Sequence, residues 1–584
     1  MSALDVERRA TPRLRPRSRP PGPAPRWLVA LGVGVVVGLV ALRGIVPVGA
    51  GVYYDDGIYL ALAHALAEGE GYVYAHLPGA IPGVKYPPAY PAVLAGALQV
   101  LPGYPDNLYA LKALNALFIG LAAALSFLVF VAAWDGRRSS GPTSAHGEAG
   151  VVLPDVPLEK PIARTVVLGV FAAATLLGYA SAQTMTLATV LMSEPLWLVT
   201  VFGTLWLAGR RGMSPFLLGL VASTAFLTRS IGVTVIGAVV LAELLARRPV
   251  RVGRGWRLGR GSLVALGAGL PAAAWTAWSR AHAAEVPEPL AGQYGTYGHW
   301  FGAALGDDPL GRLPEIVAAH STPLVTNIEM LWVPNASALV ASVVLGALGV
   351  ATLVGLVRVA RRNLALALFP LLYLPVVMAW PFEPDRFVYA LLPTLTLFLA
   401  TGGLVLAEQA RRDLPRWGGP LVAIVAGLLL FNTAAYEVEA HRKRAWAGFQ
   451  ATPAAVFEPL NEWIRDNTGP DAVVAAVLDP HVYWETGRPA VPNSQYRAPN
   501  LGSFEGLEST LAAEFEEILA VADVRWVAVV RGEGRAGATM AAFAALHPGR
   551  TRVVFEREVG AYTGQIYEVL PPGEAFPSDE GAAG

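Results

Sequence analysis

The chain has 584 residues, of which 54% are hydrophobic and 15% charged, a composition too apolar for an ordinary soluble enzyme of this length. Its 44 basic and 44 acidic residues cancel, so no bulk charge favours a nucleic-acid partner. Cysteine is absent, which excludes disulfides, thiolate metal sites and a cysteine nucleophile. We therefore expect a polytopic α-helical membrane protein.

Residues 1–26 are rich in arginine and proline and precede an apolar segment from Trp27 to about Val46. A segment of about twenty residues is long enough to span a bilayer. A cleaved signal peptide is the alternative, but no small-residue cleavage site is obvious. We interpret residues 1–26 as a basic, disordered cytoplasmic N-terminus and the apolar segment as a retained first helix.

The first outer loop, 47–107, carries two adjacent carboxylates, Asp55 and Asp56, just after the chain leaves the first apolar segment. From Gly57 onward apolar residues recur at helical spacing, which predicts a short amphipathic helix at the lipid surface. A later Lys85-Tyr86-Pro-Pro sequence places one cation on a stiff turn. A carboxylate pair, an interfacial helix and a lone lysine indicate a site for a lipid-borne phosphate and a base.

Eleven segments have the length and composition of membrane spans, at roughly 15 to 27 residues each. They begin near Trp27, Leu108, Thr165, Leu187, Ser214, Ile231, Ser262, Ala336, Leu364, Phe387 and Gly419. Another apolar segment, 89–101, is short and flanked by prolines, so we expect it to be interfacial or re-entrant. These spans define a transmembrane domain at 27–436.

Lysine and arginine fall in alternate loops between these spans, as expected when cytoplasmic loops retain the positive charge. Lys85 is the only basic residue in the first outer loop, and Arg312 is the only one between 281 and 334. The alternation predicts an inner-membrane protein with a cytoplasmic N-terminus. It places the loops 47–107 and 281–335 and everything after about Tyr436 outside.

Two further regions differ in composition from the spans. Residues 135–164 are rich in Gly, Ser and Pro and predict a flexible inner loop. Within residues 437–584 the sequence pattern predicts a helix at 457–467, a strand at 472–478, a helix at 506–520 and a strand at 526–530. This pattern predicts a small extracytoplasmic α/β domain of about 145 residues, large enough to bury its own core.

The acidic pair has two readings. A general base must be ionised near neutral pH and must reach an acceptor hydroxyl, which a carboxylate just outside the bilayer can do. Alternatively, one carboxylate caps the helix that follows, because Asp is a favoured N-cap residue. We expect at least one of Asp55 and Asp56 to be catalytic, with Asp56 the better candidate for the cap.

Three cations on the outer side, Lys85, Arg229 and Arg386, are candidates for binding a phosphate. Arginine is unusual in an outer turn or at the outer end of a span, which draws attention to Arg229 and Arg386. The alternatives are that Lys85 snorkels to the headgroups and that Arg386 pairs with Glu383 or Asp385 beside it.

Glu194, in the sequence Ser193-Glu194-Pro195, falls inside an otherwise apolar region, where a carboxylate is costly unless it is paired or faces a polar cavity. We expect it to bind sugar or phosphate, and the alternative is a structural pair with Arg229. The long outer loop carries His299 and Trp300, which either contact substrate or are ordinary interfacial aromatics. That loop is also a candidate lid over the membrane face.

Four sequence elements together resemble those of the GT-C superfamily of membrane glycosyltransferases. They are the DD loop with its KYPPAYP sequence, the SEP element, the TRS turn and DRFVYALLP. Within this superfamily, they resemble the protein O-mannosyltransferase and lipid A aminoarabinose transferase branch, across roughly residues 27–405. NEWIRDNTGPDAVVAA and YWETGRPAV also look like the C-terminal segments of many bacterial members.

The resemblance implies roles for individual residues. Asp55 falls on the first acid of the family's Asp-Glu pair and would be the base or the carboxylate that orients the acceptor, while Asp56 stands where Glu is commoner. Lys85, Arg229 and Arg386 would hold the carrier phosphate. Tyr54 and Tyr86, beside these charges, are expected to contact substrate together with Glu194.

The expected function is transfer of a sugar from a polyprenyl-phosphate donor to a glycan, lipid or protein acceptor on the extracytoplasmic face. The alternatives are a lipid or sugar transporter, in which intramembrane charges line a pathway, and a non-catalytic cell-envelope assembly protein. Some GT-C branches hold a divalent metal between outer-loop acids, but we expect no obligate metal here. The expected partners are the donor, the acceptor and membrane lipids, without nucleic acid.

Overall fold

The computed structural model describes residues 26–135, 163–210, 212–246, 249–252, 256–306, 308–495, 506–532 and 534–577. The N-terminus at 1–25 and most of the inner loop predicted at 135–164 lie outside these residues. The membrane part begins with helices α1 (Arg26–Gly44), α2 (Asp55–Glu68), α3 (Ala89–Leu98), α4 (Leu108–Asp135), α5 (Arg164–Tyr179), α6 (Ala182–Ala188), α7 (Glu194–Ala208), α8 (Pro215–Thr228) and α9 (Val233–Leu245).

A short antiparallel hairpin, β1 (Pro249–Val252) and β2 (Trp256–Gly259), follows on the side predicted to be inner. The membrane part continues with α10 (Arg260–His282), α11 (Glu288–Tyr294), α12 (Tyr297–Leu305), α13 (Pro309–Trp332), α14 (Ala338–Ala360), α15 (Leu364–Met378), α16 (Asp385–Asp413) and α17 (Gly418–Lys443). Helices α11 to α13 lie in the loop 281–335 that is predicted to be outer and is called the long outer loop below.

Among the described residues, five helices are long and apolar enough to cross a membrane, namely α1, α4, α14, α16 and α17. A sixth candidate is the pair α5 and α6, which is bent by 63°. Four further predicted spans coincide with shorter apolar helices, namely α7, α8, α9 and α15. The last predicted span coincides with α10. The chain is therefore a multi-pass membrane protein, and the count of eleven spans is compatible with its helices but stays a prediction.

Small residues let the first two long helices cross closely. A Cβ added at Gly34 of α1 would lie 2.7 Å from the carbonyl oxygen of Gly120 in α4, and one added at Gly120 would lie 2.5 Å from that of Gly34. Close backbone approach at glycine is typical of helix pairs in membranes, where packing drives association. The crossing holds together the two helices that flank the first outer loop.

Helix α2 begins at Asp55, two residues before the predicted start, and it is more deeply buried than a surface helix would be. All residues from Asp55 to Ala63 are buried. Ile58, Leu60 and Leu62 belong to an apolar cluster that includes Leu290 of α11 and core residues of the C-terminal domain. The expected lipid-facing helix is instead covered by protein, because the two outer regions pack over it.

The C-terminal region contains α18 (Gly448–Asn467), β3 (Val474–Ala476), α19 (Asp479–Thr486), β4 (Ala490–Pro492), α20 (Glu508–Ala522), β5 (Trp526–Val530), α21 (Gly534–Leu546), β6 (Thr551–Val559) and β7 (Tyr562–Val569). The strands form one sheet in the order β4-β3-β5-β7-β6. Strands β4, β3 and β5 are parallel, and β5, β7 and β6 are antiparallel. The predicted fold class, a polytopic helical membrane protein with a small C-terminal α/β domain, is confirmed.

The C-terminal domain, which is predicted to be extracytoplasmic and is called the outer domain below, contacts the first outer loop through α19. The Trp484 indole N–H donates to the Gly57 carbonyl oxygen at 3.0 Å, and the Tyr104 hydroxyl donates to Glu485 Oε1 at 2.7 Å. Gly51, whose φ is +88°, allows the approach, because a Cβ there would lie 2.4 Å from the His481 amide nitrogen. The outer domain is thereby fixed next to Asp55.

Candidate active site

A cavity of about 570 Å³ lies where the first outer loop, the start of α16, the long outer loop and the outer domain meet. Its charged lining residues are Asp55, Lys85, Arg229, Glu383 and Arg386. Its other lining residues include Tyr53, Tyr54, Tyr59, Tyr86, Tyr297, Trp300, Trp380, Phe382, Leu478, Asn493 and Ser494. Of the eight residues singled out in the sequence, the cavity gathers six, and Asp56 and Glu194 are not among its lining residues.

Asp55 is held at both carboxylate oxygens. The Tyr86 hydroxyl donates to Oδ1 at 2.6 Å, and Arg386 Nη1 donates to Oδ2 at 2.5 Å. Burial alone would raise the pKa of Asp55, but the Arg386 guanidinium, the Tyr86 hydroxyl and Lys85 outweigh it and lower the pKa below its ordinary value. Asp55 is therefore ionised at neutral pH, and each oxygen keeps a lone pair for one more hydrogen bond.

Asp56 points the other way. Its side chain is 1% exposed, and its Oδ1 accepts the Tyr53 backbone N–H at 3.1 Å, which fixes the turn that leads into α2. Burial raises the pKa of Asp56 to about 6, with Lys112 acting against it. The structure thus separates the two acids, since Asp55 faces the cavity and Asp56 holds the backbone of the turn before α2. The expectation that Asp56 caps this helix is wrong, because Asp56 lies inside the helix, the N-cap residue is Tyr54 and no side chain caps the helix.

Arg386, the second residue of α16, connects the two acidic elements. Besides its 2.5 Å contact with Asp55, its Nε lies 3.9 Å from Glu194 Oε1. Its neighbour Asp385 instead accepts a hydrogen bond from the Asn327 amide at 2.6 Å. The alternative in which Arg386 pairs with an acid beside it is therefore wrong, and its partners come from distant parts of the chain.

Glu194 lies behind the two arginines as the first residue of α7. Its Oε1 is 2.8 Å from Arg229 Nη1, and the same Arg229 nitrogen donates to Ser193 Oγ at 2.9 Å. Ser193 Oγ in turn lies 2.8 Å from the Tyr59 hydroxyl. The structural pair with Arg229 is formed, so Glu194 orients both cavity arginines from a position outside the lining.

Lys85 does not snorkel to a lipid surface. It is 2% exposed, its Nζ donates to the Gln293 carbonyl oxygen at 2.7 Å, and Nζ lies 3.3 Å from the centroid of the Trp300 ring. Burial lowers its pKa well below the ordinary value, with Asp55 acting against that effect and Arg386 adding to it. A ring face at this distance stabilises a buried cation where water is excluded.

The long outer loop forms one wall of the cavity through α11 and α12. Trp300 is fixed by a hydrogen bond from its indole N–H to the Gly292 carbonyl oxygen and by Phe382, whose ring centroid is 4.4 Å away. Tyr297 packs against Trp380, with 5.4 Å between the two ring centroids. Trp300, one of two aromatic residues noted in this loop, lies at the site, whereas His299 is exposed.

Several lining residues were not predicted from the sequence. Tyr59 and Trp380 are aromatic residues inside apolar stretches, where such residues are common and give no signal. Asn493 and Ser494 belong to the outer domain, some 440 positions from Asp55 along the chain. Only the folded arrangement of the outer domain over the first outer loop brings them to the cavity.

The cavity carries cations that can bind an anionic ligand. Lys85, Arg229 and Arg386 lie there together with three carboxylates, those of Asp55 and Glu383 in the lining and that of Glu194 behind it, so the formal charges of this set balance. Within the described part of the chain, no group of three or more His, Asp or Glu side chains is arranged to hold a metal ion. Because Asp55 and Glu194 already face guanidinium groups, they do not fit a divalent cation bridging them.

No family model matches the chain, and no curated protein matches it. Among solved structures, the chain is similar to ArnT from Cupriavidus metallidurans in the apo state, with 14% sequence identity and a TM-score of 0.44. The alignment covers 92% of this chain and 97% of that chain.

Proposed function

We propose that the chain is an integral membrane glycosyltransferase that moves a sugar from a polyprenyl-phosphate donor to an acceptor on the extracytoplasmic face. The observation that carries the proposal is that ionised Asp55 shares one cavity with Lys85, Arg229 and Arg386. A transferase of this type needs an anion site for its leaving group next to a carboxylate for its acceptor. The cavity offers both within a single space.

The cations supply the phosphate end of the site. Arg229 and Arg386 are held by Glu194, and Lys85 is held against Trp300, so all three are oriented before a ligand arrives. The donor's bond from sugar C1 to the phosphate oxygen breaks during transfer, and negative charge grows on the departing polyprenyl phosphate. Preoriented cations stabilise that charge more in the transition state than in the ground state.

Asp55 supplies the acceptor end. As the acceptor oxygen bonds to C1, its hydroxyl proton passes to an Asp55 oxygen, and the carbon–phosphate-oxygen bond breaks. The low pKa of Asp55 makes it a weak base, so the proton moves late, when the attacking oxygen has become acidic. Tyr86 and Arg386 hold the carboxylate in place, and Tyr54 lines the same cavity as a further substrate contact.

If the chain were a transporter, its functional charges would be expected at the ends of broken membrane helices. The chain does have a broken pair, α5 and α6, but its break is filled by protein. The backbone N–H of Ala182, at the start of α6, donates to Glu437 Oε2 at 2.9 Å, and neither residue lines the cavity. This supports the enzyme over a transport pathway, and a cavity with gathered charges supports it over a non-catalytic cell-envelope assembly protein.

The proposal is tested with membranes that contain the chain and a panel of radiolabelled polyprenyl-phosphate sugars. Transfer of one label to membrane or envelope material is expected from the chain and not from control membranes. Release of intact labelled lipid into the opposite leaflet without sugar transfer would favour the flippase instead. Loss of transfer on addition of EDTA and its return with manganese would contradict the metal-free site.

A further inference from the structure

The outer domain completes one wall of the cavity with the residues that follow two of its strands. Leu478 comes two residues after β3, and Asn493 and Ser494 come directly after β4. Strands β3 and β4 are parallel, with Val474 paired to Ala490, so their carboxyl ends meet at one edge of the sheet. The crevice beyond that edge is where open α/β sheets bind ligands.

Asn493 stands out on this wall. It is 1% exposed, and among the described residues both its amide oxygen and its amide nitrogen are buried without a hydrogen-bond partner. Buried amides are nearly always hydrogen-bonded, because an unpaired donor or acceptor loses its water without compensation. A ligand that pairs with Asn493 would recover that lost free energy.

A second buried asparagine of the same domain, also without a hydrogen-bond partner among the described residues, serves as a comparison for Asn493. Asn461, on α18, is 2% exposed and also has both amide atoms unpaired within the described part of the chain. Asn461 does not line the cavity, whereas Asn493 does. Of these two unpaired amides, only that of Asn493 belongs to a residue that lines the cavity.

The strand that carries Asn493 is tied to the loop that carries Asp55. The Ala490 backbone N–H donates to the His76 carbonyl oxygen at 2.8 Å, which joins β4 to the first outer loop. The Tyr294 hydroxyl, hydrogen-bonded to His76 Nε2 at 2.8 Å, also donates to Asp479 at the start of α19. Asn493 is therefore held in a fixed position relative to Asp55.

The chemistry of this wall is neutral. Asn493 offers a donor and an acceptor side by side, Ser494 adds a hydroxyl, and Leu478 and Pro492 add apolar surface. The three cavity cations, by contrast, come from elements outside the outer domain. A neutral amide beside apolar side chains suits a sugar ring, which has adjacent hydroxyls on its rim and C–H groups on its faces.

We propose that Asn493, with Ser494, forms the acceptor subsite and binds two adjacent hydroxyls of a neutral sugar, so that the acceptor is a glycan. This inference rests on the proposed glycosyltransferase function and specifies the class of its acceptor. It also gives the outer domain its role, which is to hold the acceptor sugar over Asp55 while the membrane part holds the donor phosphate.

The test measures two ligands on the full chain in lipid nanodiscs, since alkyl-glycoside detergents would carry the sugar probe themselves. Methyl glycosides of glucose, mannose and galactose are followed by saturation-transfer NMR, and farnesyl phosphate is followed by calorimetry. We expect at least one glycoside to bind, and Asn493→Ala to weaken it by roughly tenfold through the loss of two hydrogen bonds. Asn461→Ala is the matched control and should leave the glycoside affinity within about twofold.

Single-hydroxyl deletions locate the contact. A deoxy glycoside that lacks a bound hydroxyl should bind the unmodified chain more weakly than its parent glycoside does. The deoxy glycoside and its parent should bind Asn493→Ala with equal affinity. Asn493→Asp keeps the size of the side chain and removes its donor, so it should lose part of the affinity. Farnesyl phosphate should bind all three variants equally, which also shows that they are folded.

The results separate the inference from the proposed function. Farnesyl phosphate binding with no glycoside binding, or with equal glycoside affinity in Asn493→Ala, would overturn the acceptor subsite and leave the donor site standing. Displacement of the glycoside by farnesyl phosphate would assign Asn493 to the donor side and also overturn it. Absence of farnesyl phosphate binding to the unmodified chain would count against the glycosyltransferase itself.

Discussion

The carboxylate of Asp55 and the guanidinium of Arg386 form a 2.5 Å ion pair between residues 331 positions apart in the chain. The pair joins the start of α2 to the start of α16, and its main electrostatic effect is to lower the pKa of Asp55 against the burial that would raise it. Asp55 therefore keeps its charge although its side chain is buried, which is the condition its proposed role requires.

Replacing Arg386 should change the pH dependence of transfer. In Arg386→Met the pKa of Asp55 rises, because the opposing cation is gone while burial remains. Activity should then be lost as pH falls through the raised value, so the acid limb of the pH–rate profile moves to higher pH. Arg386→Lys, which keeps the charge, should move it less. An acid limb identical in all three proteins would contradict the coupling.

Lys85 should make donor binding depend on pH. Its lowered pKa means that the free protein loses this positive charge at a lower pH than an exposed lysine would, while a bound phosphate favours the charged form. Affinity for farnesyl phosphate should therefore fall as pH rises through this lowered pKa, at a lower pH than an exposed lysine would give. Lys85→Arg, always charged, should flatten this dependence, and Lys85→Met should weaken binding by roughly 10- to 100-fold.

The control for Lys85 is Arg312, the only Lys or Arg between residues 281 and 334. Arg312 is exposed, pairs with Glu315 at 3.4 Å and does not line the cavity. Arg312→Ala should leave farnesyl phosphate affinity within about twofold at low salt. A comparable loss in both variants would mean that the outer face attracts the ligand by its general charge.

The ring of Trp300 should support the charge of Lys85. Trp300→Leu removes the aromatic face 3.3 Å from Lys85 Nζ, a contact worth about 2 kcal/mol when desolvated. The pKa of Lys85 should fall further, so farnesyl phosphate affinity should begin to decline at a lower pH than in the unmodified chain. Trp300→Phe keeps an aromatic face and should show an intermediate profile. Calorimetric titrations across pH distinguish the three.

Asp56 should affect stability and leave transfer intact. Its pKa of about 6 lies above the ordinary value of 3.8, so folding favours its protonated form. The contribution of Asp56 to stability is then fully present below pH 4 and is lost as pH rises toward 6. Asp56→Asn retains the oxygen that accepts the Tyr53 N–H, so we expect its melting temperature at pH 7 to equal or exceed that of the unmodified chain.

The sequence was sufficient to single out four of the charged residues that line the cavity. Asp55, Lys85, Arg229 and Arg386 lie beside apolar stretches, where an ionised group is costly without a partner or a ligand, and all four line the cavity. Helices were predictable for the same reason, since long apolar segments leave few alternatives in a bilayer. The parallel strand β3 and the strand β5 were evident from their short apolar patterns.

The sequence could not predict how those charges pair. Adjacent residues in the first turn of a helix point in different directions, so capping preference and the family resemblance, not the apolar pattern, were what distinguished Asp55 from Asp56. The partner of Arg386 is distant along the chain, and the neighbouring acids were the misleading choice. The burial of α2 was also missed, because its apolar spacing suits a lipid surface and a protein cover equally well.

The most direct test of the central claim is the turnover of Asp55→Asn, compared with Asp56→Asn in the same nanodiscs with the labelled donor identified from the panel. Asn keeps the size of Asp55 and its contact with Tyr86, but it cannot take up the acceptor proton. We predict that Asp55→Asn binds farnesyl phosphate and lowers transfer by a factor of roughly a hundred or more, while Asp56→Asn transfers normally. Full turnover by Asp55→Asn, with transfer lost in Asp56→Asn instead, would contradict the account.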